Sequence, residues 1–110
     1  MAYAAHVMRS VVVDNIRSSR RARHGGDATH VEFDDAQHAA QADPLHDEVL
    51  RVHDSLGELA LIDARLVQVV EMRYFAGMTE PEIAAVLGVT VRTVARDWEK
   101  ARLFLHAQLR

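Results

Sequence analysis

A chain of 110 residues, 49% hydrophobic and without cysteine, has room for one small folded domain and an appendage, and excludes a disulfide framework, thiolate metal site or cysteine nucleophile. Net charge is −3, yet it is sorted: residues 1–26 carry +4, residues 27–63 carry −9 and residues 64–110 carry +2, so basic ends flank an acidic middle and a polyanion partner stays open. No apolar run approaches the roughly 20 residues of a membrane span, and the first residues mix cations into the apolar part unlike a signal peptide, which points to a cytoplasmic protein with no membrane contact.

The first expected element is a helix over residues 3–23. Ala4, Val7, Met8, Val11, Val12 and Ile16 form a broad apolar stripe at helical spacing. Arg9, Arg17, Arg20, Arg21 and Arg23 are expected along its later half and its exposed side, and Arg20, Arg21 and Arg23 exceed what favourable charge at a helix C-terminus explains. His24-Gly25-Gly26-Asp27 ends it. Residues 27–43 are rich in Ala, Asp and His and read as a flexible acidic linker, with Val31 and Phe33 alternating in one short extended segment.

Pro44 opens a helix to about Leu59, with Leu45, Val49, Val52, Leu56 and Leu59 on one side. Asp63 caps the next helix, Ala64 to Phe75, whose inward residues are Leu66, Val67, Val70, Tyr74 and Phe75; Gly77 is its stop. Thr79 and Glu82 have capping-box spacing, and Ile83, Val86 and Leu87 follow as an apolar stripe. Gly88 stands where a helix must turn through positive φ. Val89 plugs the corner and Thr90 caps a last helix. That helix turns Val91, Val94, Trp98, Ala101 and Leu105 inward.

Residues 79–105 thus read as a helix-turn-helix. Its second helix carries Arg92, Thr93, Arg96 and Lys100 on the other face, the arrangement suited to the DNA major groove. Two amphipathic helices joined at a glycine also occur as plain packing in helical bundles. Small Ala84 and Ala85 at the crossing and cations at the start of the second helix favour the DNA reading. The candidate DNA-binding residues are Thr90, Arg92, Thr93, Arg96 and Lys100, with Lys100 on phosphate. Arg17, Arg20 and Arg21 form a secondary candidate set. Trp98 is expected in the core, and Arg102 to pair with Glu99 or Asp97.

Enzymatic readings find little support. The seven histidines are scattered. His46 and His53, with Asp47 and Asp54 beside them, are seven apart, whereas metal pairs on a helix sit three or four apart. Asp34-Asp35 has no partner for acid–base work, and Gly25-Gly26 is a linker rather than a phosphate loop. No catalytic residue, metal or cofactor is expected.

Residues 71–105, from Glu71-Met-Arg-Tyr-Phe-Ala-Gly77 through Arg96-Asp-Trp98 to Ala101-Arg102, resemble the C-terminal domain of extracytoplasmic-function (ECF) sigma factors of the sigma-70 class. Tyr3 to Arg17, with Arg20, Arg21 and Arg23, resembles the last helix of that family's first domain, which helps to read the promoter −10 element. The resemblance implies an all-α chain truncated at its N-terminus: a remnant of the first domain at 1–26, a linker at 27–43 and a four-helix, helix-turn-helix domain at 44–110. It implies recognition of the promoter −35 element in transcription initiation, with promoter DNA and core RNA polymerase as partners and an anti-sigma factor as a further one. The helices that would cover the 3–23 stripe in full-length members are not in the sequence, so this helix is expected to be isolated, and disordered or paired with another chain. Two other readings stay open: a LuxR-type regulator domain, which shares the Glu82-Ile-Ala…Leu87-Gly-Val…Thr93-Val pattern, and a helical module that binds an anti-sigma partner without reading DNA.

Overall fold

The computed structural model describes residues 1–24 and 44–108, and these are all-α. The expected linker over 27–43, with its short extended segment, lies outside the described residues. The described residues form five helices, in order α1 (Ala2–His24), α2 (Pro44–Ile62), α3 (Ala64–Val70, running on through Glu71–Phe75), α4 (Glu80–Leu87) and α5 (Val91–Gln108).

Local chemistry sets the ends. Asp63 accepts a hydrogen bond from the Arg65 N–H at 3.0 Å and starts α3. The last turn of α3 widens: the Ala76 N–H donates to the Glu71 carbonyl at 3.1 Å, five residues back. Gly77 then reverses the chain at φ +69°. At α4 the Thr79 N–H donates to Glu82 Oε1 at 2.8 Å, and the Glu82 N–H donates to Thr79 Oγ1 at 3.3 Å, completing the capping box. The Thr79 N–H first, and then the Thr79 hydroxyl, which donates to the same Oε1 at 3.0 Å, hold the Glu82 carboxyl below its ordinary range. Gly88, also at φ +69°, closes α4.

Two apolar clusters meet inside. One joins Val52, Leu56 and Leu59 of α2, Leu66, Val67 and Val70 of α3, and Ala101 and Leu105 of α5. The other joins Val69, Met72, Met78, Ile83, Ala84 and Val94 with Ala5 of α1. Half-buried Trp98 packs against both. In α2–α5 three residues expected inside turn outward: Leu45 at the start of α2, Val86 on α4 and Val91 at the start of α5 are exposed. Leu45 and Val91 occupy first turns, where the helix has not yet reached the cluster.

Helix α1 is not isolated. It lies across the wide turn of α3 and against α2, burying Ala5, Val13 and Ile16, the last two beside Val49 of α2. The expected stripe is rotated: Val7, Met8 and Val11 are exposed. Arg9 and Arg20 lie on the packed side instead, where Arg9 meets buried Glu71 and Arg20 meets part-exposed Asp47. The Arg9 side chain is 11% exposed and Glu71 4%. Arg9 Nη1 donates to Glu71 Oε2 at 2.9 Å, Nε to His53 Nδ1 at 3.0 Å and Nη2 to the His53 carbonyl at 3.0 Å. His6 Nδ1 stands 2.8 Å from the same Glu71 oxygen.

Candidate nucleic-acid interface

The chain folds α5 so that one face is core and the opposite face is free. Val94, Ala101 and Leu105 are buried, while Arg92, Arg96 and Lys100, four residues apart, are exposed along one edge. These three cations are what the sequence expected at this edge. Gly88 and the cap aim them. Thr90 Oγ1 accepts from the Thr93 N–H at 3.1 Å and shares a hydrogen bond with Thr93 Oγ1 at 3.0 Å. Thr90 and Thr93 therefore fix the start of α5, and their hydroxyls already have partners; Thr93 is half-buried.

The flanks of α5 carry polar fastenings. Arg102 pairs with Glu99, one of its two expected partners. The other, Asp97, is buried and belongs to Arg65 of α3, whose Nε lies 2.7 Å from Asp97 Oδ2 and whose Nη2 donates to Oδ1 at 3.3 Å. On the opposite flank the Arg73 guanidinium stands 5.4 Å from the Trp98 ring centre, a cation–π contact across the mouth of the core. Neither pairing across helices was read from the sequence. Its one trace there is an acid, Asp97, on an otherwise apolar flank.

The secondary set on α1 divides. Arg20 is hydrogen-bonded to Asp47 and holds that carboxyl below its ordinary range. Arg17 lies 3.8 Å from Asp54. Arg21 is exposed. Two of the three arginines thus tie α1 to α2. Nearby, the Tyr74 hydroxyl donates to Glu48 at 2.8 Å, and burial followed by that bond pushes its pKa up. Among the described residues no group of three His, Asp or Glu side chains is placed to hold a metal ion, and His53 Nδ1 is occupied by Arg9. No described helix is long and apolar enough to cross a membrane.

A family model described as ECF sigma factor matches residues 1–110. No curated protein and no solved structure matches the chain.

Proposed function

The chain belongs to the ECF sigma factors, proteins of transcription initiation, and from that premise we propose that residues 44–110 read the promoter −35 element together with core RNA polymerase. The observation that carries this is the exposed edge Arg92–Arg96–Lys100 on a helix whose other face fills the core behind a glycine turn. Arg92 and Arg96 lie in the first turns of α5, where a recognition helix meets base edges, and a bidentate arginine selects guanine. Lys100, a turn further on, anchors phosphate. Thr90 and Thr93 act mainly by fixing the helix start, with phosphate contact as their second role.

Family membership supports this reading over the LuxR-type alternative. Residues 1–26 correspond to the end of the first sigma domain and 27–43 to the linker. Of Arg17, Arg20 and Arg21, Arg21 is the one best placed for DNA, because promoter phosphates must displace Asp54 and Asp47 to reach the other two. An anti-sigma protein is a further partner, and a cytoplasmic setting follows from the polymerase.

The test is binding of the full chain, with and without core polymerase, to a library of duplexes. Selection of one −35-like sequence, lost in Arg92→Ala and Arg96→Ala, is the expected result. Binding to core polymerase with no sequence selection in either format would overturn −35 reading and leave the partner-binding module.

A further inference from the structure

We infer that Arg65 is a further DNA-contacting residue, a phosphate clamp that Asp97 holds in position beside the recognition helix. The inference rests on the reading of α5 given above.

Asp97 is a buried charge, its side chain 3% exposed. Such a carboxylate needs a cation with good geometry. The Arg65 guanidinium meets it by one hydrogen bond, Nη2 to Oδ1 at 3.3 Å, and by an ionic contact, Nε 2.7 Å from Oδ2, an oxygen that has no hydrogen-bond partner among the described residues. A guanidinium has five N–H donors in a fixed fork, so the Nη1 side remains for a second acceptor. The Arg65 side chain is 44% exposed, although its partner is not. The pair therefore points its carboxylate inward and part of its cation outward.

Position names the acceptor. On α5 at about 100° per residue, Asp97 lies about 60° around from Lys100. The guanidinium it holds consequently lies, from the neighbouring helix, on the Lys100 side of the Arg92–Arg96–Lys100 edge, between it and the buried face. A cation beside a recognition helix, on a separate element, meets the rim of the groove, where phosphates lie and bases do not. Free arginine side chains lose rotamer entropy when they grip phosphate. The bond to Asp97 removes that cost in advance, and it is the one role in which burying the aspartate serves DNA binding.

The measurement is anisotropy of the full chain on a short mixed-sequence duplex across a salt series. Arg65→Gln combined with Asp97→Asn keeps the net charge and replaces the ion pair by a neutral hydrogen-bonding pair. Loss of one phosphate contact lowers the slope of log K against log salt by about 0.9, and that drop is expected. Arg65→Lys should keep the slope. An unchanged slope in the folded double variant makes Arg65 a strut only and overturns the clamp. On the wild-type chain, nitrogen-15 spectra of arginine side chains supply a readout independent of variant folding: the Arg65 Nε–H signal should shift when duplex is added, and a stationary signal is fatal. Arg96→Ala and Lys100→Ala run in parallel. If they weaken binding and Arg65 is silent, only the clamp fails; if they too are silent, the reading of α5 fails with it.

Discussion

Behind α5, Val94, Ala101 and Leu105 meet apolar side chains of α2, α3 and α4, and the one buried charge there, Asp97, sits at the flank with Arg65. Under α1 the contact is carried by Arg9, Glu71 and His53, with Ala5, Val13 and Ile16 as its apolar share. Apolar contact is non-directional and scales with buried area. A buried ion pair is directional, and its net contribution after desolvation is small while both partners are present. The two regions should therefore fail differently. The interior loses stability in proportion to volume removed. The α1 seam depends on a few atoms, and losing one strands the others.

The largest effect is expected in the interior. Leu56, fully buried between α2, α3 and α5, should cost about 4 kcal/mol as Leu56→Ala. Urea unfolding followed by circular dichroism would show a lower midpoint for α2–α5 as a unit. A loss under ~1 kcal/mol would mean that this cluster relaxes freely and does not hold the fold. Arg9→Ala comes next, at about 3 kcal/mol, because it leaves Glu71 buried with only His6 beside it. Hydrogen exchange on the full chain should lose protection in α1 while α5 keeps its own. Equal loss in both would erase the contrast and make α1 part of one cooperative core.

That contrast was only half legible in the sequence. Elements fixed by near neighbours read directly: Asp63, the Thr79–Glu82 box, Gly77 and Gly88 all act within a few residues. The stripe of α2 read well beyond its first turn, since one cluster sets it; on α3 Leu66, Val67 and Val70 read correctly, but the fully buried Val69 and Met72 did not, because this helix packs into two clusters on different sides. The inward face of α1 did not, because Glu71, the buried partner of Arg9, lies more than sixty residues away and an acid in a helix ordinarily faces water. Asp97 and Arg65 are hidden for the same reason. Trp98 read as core but bridges two clusters with its ring under Arg73, so its edge stays in contact with solvent. In the candidate interface, the exposure of Arg92, Arg96 and Lys100 followed from the buried positions between them. The second bond on each threonine hydroxyl did not.

A smaller effect separates local from long-range support. Thr79→Ala removes one half of the capping box and should cost about 1 kcal/mol, whereas Thr79→Ser, which keeps the acceptor, should cost little. The thermal midpoint reports both. Equal losses would assign the effect to the threonine methyl group rather than the cap. Helix α4 would then owe its start to packing, as α1 owes its place to partners elsewhere.

The smallest and most diagnostic effect is on pH. Burial first, then the positive charges of Arg9 and Arg17, lower the His53 pKa from 6.5, against opposing pulls from Asp54 and Asp14. His53 Nδ1 accepts from Arg9, so the neutral ring is the form the seam requires. Above the unfolded value near 6.5 both states hold it neutral and the seam keeps its full strength. As pH falls below that value, the unfolded chain takes up a proton that the folded ring refuses, so stability falls until the lowered folded pKa is reached, and this contribution then levels off. His53→Gln, neutral throughout, should flatten the pH dependence of α1 protection between pH ~6.5 and the lower pKa, with α5 protection unmoved by the substitution. If the wild-type α1 signal is level across that window, His53 is not in the seam's charge balance, and Glu71 and Arg9 hold α1 without it.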